Sequence, residues 1–324
     1  MIAKPAPEIK VVEYEYSETK LEDCLKTLAR DGGVILRNVL QKDVLDQIER
    51  DLRPSFDADV AYASERSFPK ETRRANGLIA KSETFVKHIV ANKLYQDICT
   101  EYLTNVHKSW WGDAELTSKS LPILDATTCF SVGPGAKDQP LHRDCMIHHN
   151  VLPEITAAEY KPGRDHTIDF FIAGTKTTKA NGATRFVPRS HLWGMERRPC
   201  PEEAVYAELN LGDGFIMLGS CFHGGSANTT ADEERLVYGA FMTKGINRTE
   251  ENQFLANTLE HIKRYDPEIQ RLAGFGLSHP SLGWVDFKNP KFLIADDPAK
   301  YLPGYMEDAY LTEVVDHGEQ IRHA

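Results

Sequence analysis

Three residues of this 324-residue sequence have the types and spacing to hold a metal ion. His142 and Asp144 stand two apart in QPLHRDCMIHH, and His223 follows in GFIMLGSCFHGG, 79 positions after Asp144. At the end of an extended run, side chains at i and i+2 point to one face, so an imidazole nitrogen and a carboxylate oxygen converge on one point. Two histidines and a carboxylate on one face of an octahedron leave three positions open, the arrangement used by non-haem Fe(II) oxygenases. A keto-acid can take two of these and O₂ the third. Zinc hydrolases use the same ligand types, commonly as HExxH on a helix, and the sequence has no HExxH. The short HxD spacing favours iron and leaves a zinc hydrolase as the more distant option.

Alone, the triplet carries little weight, because 12 histidines and 48 acidic residues make one chance HxD unsurprising. Arg235 changes that. It lies twelve residues after His223 and begins the strand-like run RLVYGAFMT. A keto-acid with a distal carboxylate calls for a planar, permanently charged, bidentate partner, which a guanidinium supplies. His148 and His149 read as a solvated loop pair, and His166 as a strand-edge residue.

The elements that must position these groups follow from the hydrophobic pattern. Residues 18–30 carry Leu21, Leu25 and Leu28 at helical spacing, Gly32-Gly33 stops that helix, and VILRNVL reads as a strand. A second helix starts at Gln41, with Val44, Leu45 and Ile48 on its apolar side, and residues 83–106 are again helical in pattern. From Ala126 the texture changes to short runs bounded by turn residues: ATTCFSV, TIDFFIAGT, ATRFVP, GFIMLG and RLVYGAFMT. Such runs predict an all-β sandwich or barrel. After Asn252 the pattern turns helical, then irregular. The expectation is one domain over 1–324: a helical part to 125, a β core over 126–250 and a helical, then irregular extension over 251–324, whose stretch 272–324 either wraps its own core or caps a partner's pocket.

Composition narrows the function classes. An apolar fraction of 41% and a charged fraction of 27% suit a chain with a sizeable core. The net charge of −10 and the absence of any Lys/Arg-rich run argue against a nucleic-acid partner. No window is long and apolar enough for a membrane span, and the first ten residues lack a signal's apolar core. Six scattered cysteines without a CxxC read as reduced thiols, so the expected location is cytoplasmic. The N-x-T triplets at Asn228 and Asn247 then read as chance.

Taken together, QPLHRD, NGATRFVPRSH (residues 181–191) and FHGG followed by Arg235 resemble the phytanoyl-CoA dioxygenase group of Fe(II)/2-oxoglutarate oxygenases. Within it the likeness is greatest to fungal enzymes that tailor meroterpenoids and alkaloids. It runs from about Leu21 to Arg271, with GGVILRNVL matching the group's first helix–strand unit. The resemblance implies a mainly β fold with flanking helices around a double-stranded β-helix, the jelly-roll or cupin-like core. It implies His142, Asp144 and His223 as iron ligands and Arg235 as the holder of the distal carboxylate of 2-oxoglutarate. Gln139, Thr184 and Arg74 match positions that also contact this co-substrate. The implied cofactors are Fe(II), 2-oxoglutarate and O₂. Ala180 departs from the glutamate usual before NGAT, which is a turn feature. Asp144 stands where related halogenases carry a small residue, which disfavours halogenation.

The implied reaction is hydroxylation, desaturation, rearrangement or endoperoxidation of a small, largely apolar natural product in secondary-metabolite (terpenoid or alkaloid) biosynthesis. The alternatives are a fatty acyl or amino-acid hydroxylase of the same fold, or a non-catalytic cupin-like metal-binding protein. The intact triad with Arg235 counts against the last. Phe241 shares the face of Arg235 by period 2 and Ile168 matches by family position, so both are candidates to face substrate, with packed core as the other reading. Trp110, Trp111 and Trp193 either line an apolar mouth or belong to the scaffold. The resemblance also implies a homodimer in which a loop of one subunit caps its partner's pocket.

Overall fold

The computed structural model describes residues 10–59, 71–301 and 312–316. In chain order the strands are β1 (Val12–Glu15), β2 (Gly33–Arg37), β3 (Thr72–Asn76), β4 (Asn105–Trp111), β5 (Ala114–Ser120), β6 (Ile123–Val132), β7 (Thr167–Ala173), β8 (Thr184–Phe186), β9 (Val205–Ala207), β10 (Gly214–Leu218), β11 (His223–Gly225), β12 (Arg235–Thr243) and β13 (Thr312–Asp316). The helices are α1 (Leu21–Asp31), α2 (Lys42–Ala58), α3 (Glu83–Phe85), α4 (Lys93–Leu103), α5 (Gln253–Ala256), α6 (Leu259–Lys263) and α7 (Pro267–Leu272). They fall into two compact units: Met1–Asn76 with Thr128–Ala240, and Gly77–Thr127 with Phe241–Ala324.

The first unit carries the jelly roll. Its large sheet runs β1-β2-β10-β7-β12-β6-β3, and its small sheet runs β11-β8-β9. The sheets meet face to face through Phe186 of β8 and Phe215 of β10, whose rings lie edge-on 5.4 Å apart. Because Phe215 sits opposite Phe171 in the β10–β7 register, the inner face of the large sheet carries Phe171 and Asp169, while Ile168, Phe170 and Ile172 take the outer one. Helix α1 buries Cys24, Thr27 and Leu28 and ends at Gly32, whose φ of 83° permits the turn and whose N–H reaches the Leu28 carbonyl. Helix α2 buries Leu45, Ile48, Leu52 and Phe56, a stripe at i, i+3, i+7 and i+11. Each such side chain contributes about 1.5–3 kcal/mol when fully removed from water.

The second unit contains the three-stranded sheet β13-β5-β4 and the short helices α3 to α7. Residues 83–106, helical in pattern by sequence, divide into two helical segments ahead of β4. A π turn at Val86–Val90 ends the first segment, and Asn92 caps a new helix by accepting the Tyr95 N–H at 3.1 Å. The chain is already in β4 from Asn105. No helix among the described residues is long and apolar enough to cross a membrane.

Candidate metal centre

The two histidines are brought together by backbone pairing. His142 and His223 form an isolated antiparallel bridge, each N–H donating to the other's carbonyl at 2.9 Å. The Gln139 N–H extends this short ladder to the Gly225 carbonyl. Residue 224 has to be glycine here, since a Cβ would lie 2.9 Å from the Gln139 carbonyl oxygen and 3.1 Å from that of Pro140. The rings stand 4.5 Å apart between centroids. Asp144 is supplied differently from the sequence expectation. It is not the i+2 residue of a strand but opens a 3₁₀ turn over Asp144–His148, which is anchored by the Cys145 N–H donating to the Gly219 carbonyl at 3.0 Å.

The outcome is a converged donor set. Asp144 Oδ1 lies 3.3 Å from His142 Nε2, and Asp144 Oδ2 lies 3.6 Å from His223 Nε2. One donor atom from each residue fits within 4.8 Å of the other two, as ligands of one ion require. The tautomers suit this role. His142 Nδ1–H donates to the Pro140 carbonyl at 2.8 Å and His223 Nδ1–H to the Cys221 carbonyl at 3.2 Å, so both Nε2 lone pairs turn toward the carboxylate. Burial lowers the His223 pKa to about 4, against the pull of Asp144, and keeps the ring neutral. Burial also works against protonation of His142, but Asp144 outweighs it and the pKa is raised. Burial would raise Asp144; the two rings, with the buried Asp169 carboxyl beside it, overcome it and hold Asp144 below the ordinary carboxylate range.

Arg235 lies deeper in the same interior and is 5% exposed. Its Nη2–H donates to Thr184 Oγ1 at 3.0 Å, its Nε has no partner, and among the described residues no carboxylate pairs with it. Burial alone lowers its pKa to about 10. Thr184 sits opposite Gly225, two residues beyond His223, in the β8–β11 register. A buried guanidinium without a counter-ion among the described residues, held by Thr184 on the strand paired with the one that carries His223, fits an anionic chelator such as a dicarboxylic keto-acid.

Comparison with known proteins agrees with this geometry. Residues 28–237 match the family model described as Phytanoyl-CoA dioxygenase (PhyH). The chain belongs to that family. It is thus an oxidoreductase of the Fe(II)- and 2-oxoglutarate-dependent class. It is similar to the dioxygenase himG of Aspergillus japonicus, at 36% identity over 94% of this chain and 95% of that one. The dioxygenase peniF of Penicillium patulum is 40% identical over 84% of this chain and 88% of that one. Among solved structures, HygX from Streptomyces hygroscopicus with nickel and 2-oxoglutarate bound superposes with a TM-score of 0.51, at 13% identity over 72% of this chain and 91% of that one, which shows a shared fold.

The other residues expected in the PhyH-family site are distributed as follows. Gln139 Oε1 accepts the Gly225 N–H at 3.1 Å, which places it beside the histidine ladder. Arg74 is opposite Phe130 on the edge strand β3, and its Nε–H donates to Asp59 at 3.2 Å. Phe241 lies on the same side of β12 as Arg235 and is half-buried. Ile168 is not brought to the centre: it is fully buried on the outer face, and its neighbour Asp169 is the residue that reaches Asp144. Trp193 is scaffold, 8% exposed with the Arg197 guanidinium 3.5 Å above its ring, whereas Trp110 and Trp111 stand exposed on β4. The Asn228 amide, read as a chance sequon, is buried and donates to the Val132 and Glu233 carbonyls. Sequence reasoning missed Asp169 and Arg143. The single acid in the apolar run TIDFFIA was the signal for the first, and the position between His142 and Asp144 the signal for the second.

Proposed function

We propose that this PhyH-family dioxygenase binds Fe(II) through His142, Asp144 and His223, holds 2-oxoglutarate against Arg235 and Thr184, and oxidises a small, largely apolar natural product in secondary-metabolite biosynthesis. The observation that carries the site assignment is the buried Arg235 guanidinium, which has Thr184 but, among the described residues, no acid beside it. When bound, the iron with 2-oxoglutarate and O₂ supplies the oxidising power for C–H chemistry, with succinate and CO₂ as co-products. The protein's residues do the rest. With metal bound, His142 and His223 would present their Nε2 atoms to it, because the Pro140 and Cys221 carbonyls hold their Nδ1 protons. Asp144 stays ionised beside them. Arg235 orients the distal carboxylate, with Gln139 and Arg74 as further co-substrate contacts, and the apolar interior excludes water.

The reaction outcome on this reading is hydroxylation, desaturation, rearrangement or endoperoxidation, with a terpenoid or alkaloid as substrate and Phe241 against it. The same reading has the chain act as one domain, as a homodimer and in the cytosol. Its support is the family resemblance and, for the cytosol, six free cysteines of which five are buried. The decisive experiment mixes metal-free protein with Fe(II) and 2-oxoglutarate under anaerobic conditions and looks for the visible charge-transfer band of a chelated keto-acid. The band is expected in the wild type and lost or weakened in His142→Ala and Arg235→Ala. Absence of both the band and iron binding in the wild type would overturn the proposal.

A further inference from the structure

Between the two ligands of the HRD segment, Arg143 points away from the metal centre. It is 7% exposed, and no acid pairs with it among the described residues. Its Nη2–H donates to the Ser190 carbonyl at 2.8 Å and to that of Trp193 at 3.3 Å. Its guanidinium carbon lies 4.2 Å from the ring centroid of Phe222, the residue preceding His223. The Phe222 backbone is fixed from the same turn: its N–H donates to Ser190 Oγ at 2.7 Å and its carbonyl accepts the Val187 N–H at 2.8 Å. The Trp193 ring follows 6.0 Å from that of Phe222, and the Arg197 guanidinium lies 3.5 Å from the Trp193 ring centroid. Contacts therefore run from Arg143 in the ligand segment through Phe222 and Trp193 to the exposed Arg197.

We propose that Arg143 is a positioning residue for the metal centre: it clamps the His142–Asp144 segment to the Phe222–His223 segment through the Phe222 ring and the 190–193 turn. The inference rests on the assignment of those three residues as ligands. The bridge between His142 and His223 fixes their backbones, but Asp144 lies beyond it on a 3₁₀ turn. Arg143 is the residue joining bridge to turn, so locking its side chain sets how the carboxylate approaches the two rings. A lysine keeps the charge and loses the rest. It lacks the planar face that stacks on a ring and the fork that spans two carbonyls.

The test is anaerobic titration of the metal-free full chain with Co(II), followed by its visible spectrum, alongside thermal unfolding of each metal-free protein. The set is wild type, Arg143→Lys, Phe222→Leu, the double variant, His142→Ala, and Leu52→Ala in α2 as a destabilised protein altered away from the centre. Arg143→Lys is expected to raise the Co(II) dissociation constant about 10- to 100-fold, the range for residues that orient ligands. Phe222→Leu is expected to have a smaller effect, and the double variant to be no worse than Arg143→Lys, because the two act through one contact. Leu52→Ala is expected to unfold at lower temperature yet bind Co(II) as the wild type does. Wild-type affinity in Arg143→Lys would overturn the clamp, and so would an equal loss of affinity in Leu52→Ala, which would make the effect one of general stability. Wild-type affinity in His142→Ala would instead overturn the ligand assignment beneath it.

Discussion

Replacing Arg235 by methionine should stabilise the ligand-free protein while destroying co-substrate binding. The guanidinium is fully buried, its pKa is lowered to about 10 by burial, and its hydrogen-bond partner is Thr184. At about 1.4 kcal/mol per decade, holding that charge in the folded state costs on the order of 3 kcal/mol. A base whose folded pKa is depressed is penalised throughout the range where the unfolded chain keeps it protonated, so the whole penalty is present at pH 7. Methionine fills similar space and removes it, but leaves the Thr184 hydroxyl without its donor, which takes back about 1–2 kcal/mol. The net gain is about 1–2 kcal/mol, or roughly 2 °C in the thermal midpoint for a chain of this size. With 2-oxoglutarate the sign reverses. Losing one partner of a buried charge pair costs about 3–5 kcal/mol, so the KM for 2-oxoglutarate should rise at least about 100-fold. Scanning calorimetry of both ligand-free proteins, with succinate formation against 2-oxoglutarate concentration, reads the two effects. A lower midpoint together with an unchanged KM would refute the reasoning, since Arg235 would then be an ordinary structural cation.

Metal binding should compete with a single proton, the one on His142, as pH falls. His223, at about 4 through burial, is already neutral at pH 7, whereas Asp144 outweighs burial and raises His142, so protonation of His142 is what weakens metal affinity at lower pH; a Co(II) titration series whose log Kd changes with a slope of two would contradict this. Gly219→Ala should weaken metal binding about tenfold or more, the order seen when support around a ligand is lost, because the new Cβ meets the Thr167 side chain on the residue whose carbonyl anchors Cys145 next to Asp144. The same Co(II) titration checks it. In the second unit, the Glu251 carboxylate accepts from the Gly77 and Thr127 amides, the Thr127 hydroxyl and Gln253. Glu251→Ala should cost about 2–3 kcal/mol in urea unfolding through the stranded amides, with unchanged metal affinity.

The metal centre was legible from residue types, and its construction was not. HxD with a distant histidine and a trailing arginine suffices to nominate the four residues, because few chemistries need that set in that order. The local argument for convergence, a strand placing i and i+2 on one face, does not describe what the chain does. Asp144 sits on a 3₁₀ turn, and convergence comes from pairing between His142 and His223, a contact between positions 81 apart that no local period encodes. The β core was readable, and for the same reason Ile168 was left open between substrate contact and packed core. TIDFFIA is apolar at nearly every position and reads as a buried strand, yet a run buried on both faces gives no alternation to say which side faces the centre. Asp169, the single acid in that run, was the clue. A carboxyl with no exposure in a strand interior needs a polar neighbour, and the inner face is where one exists. The break within residues 83–106 was hidden for a different reason. Their apolar spacing suits a helix throughout, and only the Asn92 side chain, bonding to a backbone N–H, divides them. Long-range register and short polar caps both lie outside what hydrophobic period can report, and in this chain the first of them decides which acid stands beside the metal ligands.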